Sequence, residues 1–422
     1  LMSKVKLKET AVIEPLSKSS GVITGLFAGQ TQWFDGLAKS LGYESTYHHA
    51  IIIDAGSSGS RVLAYKFRVP FTANLDLVEE YFEQSKPGLS SFADDPAKGA
   101  ETIVNLIRKA EFLTPPEKRK STPIIVRATA GLRLLPSEKA YQLIAHVKDA
   151  ISKLEYDVSS NAVEIMDGSD EGIFIWYTVN LLFDLMYGET MAALDLGGGS
   201  TQITFQLNDK EKLVMPKTDQ FVVPSGGDNI TVYTHSYLNL GLLAARYGVL
   251  RLESEDENTD SFSSICVDPI IQDEKWIYAN KQYNALPGPA VFDRLLFRSI
   301  SHKKMLPLTK SKMLNPLKMF LINLFNVFFT IMSFPDVMKG GSVSVSQYRS
   351  SAMSACSASN VEQPWACLDL VYIVTLLQDA YKIHDDKPIS VRYYRRPRKK
   401  KKKQKKTYLG ARGISSDQWR SA

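Results

Sequence analysis

The sequence predicts an α/β protein with two domains, and three observations carry that prediction. A chain of 422 residues with 44% hydrophobic and 23% charged content can build two cores that need no disulfide staples. A short apolar strand that ends in Asp and enters a Gly/Ser turn occurs twice, as Asp54-Ala55-Gly56-Ser57-Ser58-Gly59-Ser60 and as Asp195-Leu196-Gly197-Gly198-Gly199-Ser200-Thr201. Segments of helical spacing lie between these units, so the chain reads strand-turn-strand, helices, strand-turn-strand.

Taken in order, residues 1–46 mix Gly, Ser, Thr and charges without long periodicity. They read as a mobile lead-in with no apolar stretch of signal-peptide length. Ala50 to Asp54 is a short buried strand, and Arg61 to Phe67 alternates as its antiparallel return. A P-loop would continue into a helix instead. Residues 97–112 form an amphipathic helix with Ile103, Leu106, Ile107 and Ala110 on one face. Pro123 to Arg127 is a buried strand that delivers Ala128-Thr129-Ala130-Gly131. A helix from Ser137 to Leu154, with Ser137 as its cap, is followed by a strand near Val163 to Met166. After Asp167 a helix is predicted from Gly172 to about Tyr187, then a strand from Met191 to Leu194 and a return from Gln202 to Phe205.

From Asp268 to Gly340 the pattern degrades. Met319 to Phe334 is almost wholly apolar, yet its 16 residues fall short of the ~20 that cross a bilayer, so a buried helix or an aberrant insertion is expected. Order returns with a strand at Ser342 to Val345 and an apolar helix from Cys367 to Gln378. The expected domains are 47–167 and 168–386, the second carrying the insertion at about 296–339, with a basic low-complexity tail at 387–422.

The formal charge of +6 is not spread evenly. Residues 392–406 hold eleven Lys or Arg and no acid, which leaves the rest of the chain near −5. The globular part is therefore not a nucleic-acid surface, and any contact with anionic lipid or nucleic acid is expected of 392–406 alone, with low specificity. None of the three cysteines has metal-ligand spacing. Cys356 and Cys367 can pair in an oxidising compartment, leaving Cys266 odd. Asn229-Ile230-Thr231 is a glycosylation sequon, usable only in a secretory lumen.

Splitting a phosphoanhydride requires a cradle for phosphate oxygens, a divalent cation and a base for the attacking water. Backbone N–H groups approach an anion closely only where side chains are absent. Gly56, Ser57, Ser58, Gly59 and Ser60 offer one cradle, and Gly197, Gly198, Gly199 and Ser200 another. One such turn alone is an ordinary hairpin; two, each entered from a buried strand, read as facing walls of one nucleotide site. Asp54 and Asp195, at strand ends, are placed to hold Ca²⁺ or Mg²⁺ through its water shell. Glu171, between the two turns at a helix start, is the general-base candidate. Elsewhere a Glu in a first helical turn is usually a dipole partner. Thr129, with Ala130 and Gly131, can meet the terminal phosphate. Arg61, Arg127 and Arg133 lie near the turns but are given no catalytic role.

The segments IIIDAGSSGSR, VRATAGLRLLP, DGSDEGIFIWYTVN and ALDLGGGSTQITF resemble, in order, four apyrase signature regions of the ecto-nucleoside triphosphate diphosphohydrolases, and WACLDLVYIVTLL resembles the fifth. The resemblance covers roughly residues 47–380 and implies a two-domain fold of the actin and sugar-kinase superfamily, each half an RNase H-like mixed sheet with flanking helices. It implies removal of the terminal phosphate from nucleoside di- or triphosphates with Ca²⁺ or Mg²⁺. Glu171 would activate water, Gln202 would orient it, Asp54 and Asp195 would serve the metal, and Ser57, Thr129, Ser200 and the Gly turns would bind phosphate. Trp176 and Asn180 would be structural. His235-Ser236-Tyr237-Leu238 looks more like the soluble UDP- and GDP-preferring diphosphatases of the endoplasmic reticulum and Golgi lumen.

Two segments depart from the family pattern: Leu296 to Lys339, where a partner for Cys266 should lie, and the tail that replaces a returning helix. They leave open a non-hydrolysing or misfolded actin-fold nucleotide-binding chain. An exopolyphosphatase-like phosphatase shares the two turns, but the segments ATAGLR and EGIFIW argue against it.

Overall fold

The computed structural model describes residues 46–69, 76–183, 185–225, 228–252, 254, 256, 259–264, 267–271, 274–287, 319–322, 341–358, 360 and 363–391. The lead-in before Thr46, Cys266 and the tail at 392–422 lie outside the described residues, as does most of 296–339.

Strands β1 (Thr46–Ala55), β2 (Ser60–Val69), β3 (Asp76–Ser85), β4 (Ile124–Ala128) and β5 (Val163–Ile165) form the first sheet in the order β3-β2-β1-β4-β5. Alternation decides which face is covered. Ile51, Ile53 and Ala55 of β1, Val62 and Ala64 of β2, and Ile124 and Val126 of β4 all point to one side. There they meet helices α1 (Pro96–Ala110) and α3 (Ser137–Ser152) through Ile103, Ile107, Leu143 and Val147. Each such buried aliphatic side chain contributes about 1.5–3 kcal/mol. Asp95 caps α1 by accepting from the Lys98 N–H, with Pro96 at the first helical position. The cap predicted at Ser137 is not formed: Pro136 occupies the cap position of α3 and Ser137 is already helical. Between β4 and α3 lies one turn of helix, α2 (Ala130–Arg133).

Helix α4 (Gly168–Leu182) leads to the second half. It starts four residues earlier than predicted because the Asp167 carboxylate accepts from the Ser169 N–H at 2.8 Å and opens the helix there. The second sheet holds β6 (Ala192–Leu196), β7 (Ser200–Gln206), β8 (Gln220–Ser225), β9 (Asp228–Leu238), β13 (Met319–Ile322), β14 (Gly341–Val343) and β15 (Ile389–Val391), ordered β14-β15-β13-β6-β7-β9-β8. Strands β10 (Ser261–Ser264), β11 (Glu274–Tyr278) and β12 (Lys281–Pro287) make a small third sheet. The run β9-β7-β6-β13-β15 repeats β3-β2-β1-β4-β5 in order and direction, with two antiparallel pairings followed by two parallel ones.

That repeat corrects the reading of the first four residues of the apolar run, the rest of which lies outside the described residues. Met319–Ile322 is neither helix nor insertion but the strand between β6 and β15, parallel to both. A parallel strand flanked on both sides reads as continuous apolar sequence, which periodicity does not distinguish from a buried helix.

The second sheet is covered on both faces. Ile173, Trp176 and Val179 of α4 pack on Ala193 and Val232. Helices α5 (Leu242–Leu252), α6 (Val345–Ser357) and α7 (Ala366–Thr375) cover Leu194, Ile203 and Phe205 on the other side. Trp176 and Asn180 are fully buried. Asn180 fastens α4 to the start of β6, accepting from the Met191 N–H at 2.7 Å and donating to the Met191 carbonyl at 3.0 Å. Arg246 of α5 donates to both Asp369 carboxylate oxygens of α7, at 2.8 and 2.5 Å, under the face of Trp365. Cys356 and Cys367 form a disulfide between α6 and α7.

Candidate active site

The two Gly/Ser turns are equivalent in register. Asp54 stands opposite Arg61 across the β1–β2 hairpin, and Asp195 stands opposite Gln202 across β6–β7. The turns meet face to face, since a Cβ on Gly198 would sit 2.5 Å from the Ser57 Oγ. One on Gly131 would sit 2.8 Å from the Ser57 Cα, so the start of α2 closes the third side. Between them lies a cleft of about 180 Å³. Of the residues predicted from sequence, Asp54, Gly56, Ser57, Ser58, Thr129, Ala130, Glu171, Asp195, Gly197, Gly198, Gly199 and Ser200 line it. Gly59 and Ser60 do not: Gly59 abuts the Ser85 carbonyl, and Ser60 is buried against β3. The cradle is therefore narrower than the sequence suggests. Gly131 and Gln202 stand behind its wall.

Glu171 reaches the cleft because α4 lies unusually close to the second sheet. Gly168 and Gly172, one turn apart, face Ser236 and the Thr204–Thr234 pair, with room for no Cβ: one on Gly172 would lie 2.4 Å from Thr234 Oγ1. Gly172→Ala is expected to push α4 outward and cost about 1–3 kcal/mol. A thermal melt checks the stability, and a phosphate-release assay checks the displacement of Glu171. A variant with unchanged melting and activity would refute the close-approach argument.

The Glu171 Oε2 accepts from Arg133 Nη2 and from Gln202 Nε2, both at 2.8 Å. Burial pushes its carboxyl above the ordinary carboxylate range; Arg133 pulls it back, while Asp54 and Asp167 push it further up. Asp54 is likewise raised by burial, against the Arg61 guanidinium 2.9 Å away. Gln202 Nε2 also lies 2.7 Å from Ser200 Oγ and 2.9 Å from Ser236 Oγ, while its buried Oε1 has no partner within the protein. Ser200 Oγ accepts from Gln202 and, at 3.2 Å, from Arg133. With both lone pairs engaged, its own proton is left to be donated.

Sequence reasoning missed two contributors. Arg133 was named without a role, yet it donates to Glu171, Ser200 and, at 2.8 Å, the Met166 carbonyl. Its signal is the spacing in Thr129-Ala130-Gly131-Leu132-Arg133, one helical turn that carries the guanidinium to Glu171 and Ser200. The other is α5, whose Leu242 and Leu243 line the cleft. The Leu242 N–H donates to Gly197 and the Leu243 N–H to Gly198, at 2.8 and 2.9 Å, so the helix start holds the turn's carbonyls from behind. Nothing local in Gly241-Leu242-Leu243 announces that contact.

Residues 41–286 match the GDA1/CD39 (nucleoside phosphatase) family. The chain belongs to this family. Over 386 residues it is 35% identical to the nucleoside diphosphate phosphatase ENTPD5 of Homo sapiens, covering 86% of this chain and 88% of that protein. Over 371 residues it is 33% identical to the nucleoside-diphosphatase uda-1 of Caenorhabditis elegans, covering 80% and 77%. Among solved structures it is similar to the nucleoside triphosphate hydrolases of Neospora caninum, with a TM-score of 0.58 at 13% identity over 88% of this chain and 92% of that one. The fold is accordingly the two-domain actin-like α/β fold, and this GDA1/CD39 protein is a phosphohydrolase. The family relationship favours hydrolysis over the binding-only and exopolyphosphatase-like readings.

Proposed function

We propose that the protein removes the terminal phosphate of nucleoside diphosphates, UDP and GDP foremost, using water activated by Glu171 and a divalent cation, Ca²⁺ or Mg²⁺. The observation that carries this reading is the meeting of both phosphate turns with a buried carboxylate whose two donors, Arg133 and Gln202, hold it toward the cleft. The residues suit a hydrated cation. Asp54 and Asp195 both line the cleft, while among the described residues no group of three or more His, Cys, Asp or Glu could cage a bare ion. Two carboxylates plus water and substrate phosphate is what hard cations of this kind accept. When bound, the ion would neutralise charge on the phosphate oxygens.

The chain's own groups do the rest. Gly56, Ser57, Ser58 and Thr129 from one half, and Gly197 to Ser200 from the other, hold the phosphates. The Glu171 carboxylate takes one proton of the attacking water, the other staying on the oxygen that attacks phosphorus; Gln202, behind the wall, holds that carboxylate through its Nε2, and the Ser200 hydroxyl proton donates to an oxygen in the cleft. Residues 47–167 and a second half that runs from 168 past 386 to β15 are taken as the two halves that supply these walls, since β15, within the stretch 387–422 expected as tail, pairs with β13 and β14. The Cys356–Cys367 disulfide and the exposed Asn229 sequon support a setting in the secretory-pathway lumen. No helix among the described residues is long and apolar enough to cross a membrane.

Phosphate release from UDP, GDP, ADP and ATP, with Ca²⁺, Mg²⁺ or a chelator, tests the proposal. Faster release from UDP and GDP, lost on chelation, is expected; a compact monomer inactive on all four would overturn it. The reaction needs ionised Glu171, and burial raises its pKa, so the acid limb of kcat/KM should lie above the ordinary Glu value of 4.5. Replacing Arg133 by Met removes the charge that pulls that pKa down, so the limb should move to higher pH. An unmoved limb would assign the titration to another group.

A further inference from the structure

Two donors serve Glu171, one from each half, and they are built alike. Arg133 Nη2 donates to Glu171 Oε2 and Ser200 Oγ, and its Nη1 is pinned to the Met166 carbonyl at 2.8 Å. Gln202 Nε2 reaches the same two oxygens, at 2.8 and 2.7 Å, and has its third contact at 2.9 Å with Ser236 Oγ of β9. Neither Met166 nor Ser236 lines the cleft. The other end of the amide, Gln202 Oε1, is buried with no partner within the protein. Gln202 is therefore oriented by its nitrogen alone, and that nitrogen has two hydrogens to share among three oxygens. Glu171 and Ser200 are the groups to be held, so of the three contacts only Ser236 gives the amide a fixed point outside them.

We infer that Ser236 is a positioning residue: it sets the Gln202 amide, and through it Glu171 and Ser200. Ser236 stands directly opposite Gln202 in the β7–β9 ladder, so both side chains rise from the same face of the sheet, the one that α4 covers. Helix α4 in turn confines the serine. A Cβ on Gly168 would lie 2.5 Å from Ser236 Oγ, so helix backbone closes over the hydroxyl and keeps it beside the amide. Ser236 thus does for Gln202 what the Met166 carbonyl does for Arg133, and the base is held from both halves by donors that are themselves anchored. In the sequence this serine is only part of His235-Ser236-Tyr237-Leu238, and its partner in β7 lies 34 residues away. The role rests on the reading of Glu171 as the base.

Steady-state phosphate release by the full chain, from whichever of UDP, GDP, ADP and ATP it hydrolyses fastest, tests this. Ser236→Ala should lower kcat about 3–10-fold, the worth of one neutral hydrogen bond, with KM and melting temperature unchanged. In a chain that already carries Gln202→Met, adding Ser236→Ala should cost nothing further, because the amide that Ser236 positions is gone. An unchanged kcat in Ser236→Ala would overturn the inference, and so would a loss that comes with a raised KM or a lowered melting temperature. An equal loss with and without the Gln202 amide would overturn it as well. Glu171→Gln separates this role from the catalytic reading. If that variant stays fully active, the base is wrongly assigned and both fall; an inactive Glu171→Gln beside a fully active Ser236→Ala removes the positioning role alone.

Discussion

Glu171→Gln is expected to lower phosphate release from the preferred diphosphate by about 10²–10⁴-fold, the usual worth of a positioned general base. The substitution keeps the shape of the site, since an amide oxygen at the same place still accepts from Arg133 and Gln202, at 2.8 Å each in the parent. KM should change little, because the phosphate turns are untouched. The folded-state pKa of Glu171 is raised, chiefly by burial, so the folded protein holds this proton more tightly than the unfolded chain. Where the unfolded state binds fewer protons, stability falls as pH rises. The cost of the buried charge therefore begins near the ordinary Glu value of 4.5 and is complete above the folded pKa. Glu171→Gln escapes it, and the difference in melting temperature between variant and parent should grow from pH 4.5 to pH 8. Equal activity in both proteins would remove Glu171 from the mechanism.

Asp369→Ala is expected to destabilise the protein by about 3–5 kcal/mol, the cost of leaving a buried partner charge uncompensated. Asp369 is fully buried and takes both guanidinium bonds of Arg246, which has only 13% exposure of its own. The loss should reach function, because Arg246 sits on the helix whose first N–H groups hold Gly197 and Gly198. Denaturant unfolding gives the stability change. The double variant Arg246→Met with Asp369→Leu separates the two effects: with no orphaned charge it should recover most of the stability. If the pair instead proved neutral in a double-mutant cycle, α5 would be held by its apolar contacts alone.

Much of the site was legible in the chain itself. A strand must end where Asp54 or Asp195 meets a glycine turn, and helical spacing sets Glu171 between the two; these are local patterns governed by sterics and burial of one face. The same local logic found the α1 and α3 faces. It failed where residues act through distant partners. Met319–Ile322 opens a run that reads as a buried helix or an insertion and becomes a strand only because β6 and β15 offer a parallel slot on both sides. Arg133 reads in the sequence as an arginine near the turns without a catalytic role, and its partners Glu171 and Ser200 come to it from 38 and 67 residues away. Ser60 looked like phosphate ligand chemistry and is buried against β3 instead.

The amino-acid sequence by itself determined the two phosphate turns, the carboxylates that open them and the reaction class, because these depend on backbone freedom and residue chemistry over a few neighbours. Only the tertiary structure decided how wide the cradle is, which arginine holds the base, and that an unpartnered amide oxygen stands behind the cleft. Those depend on which surfaces pack together, and packing is set by the whole register of two sheets rather than by any one segment.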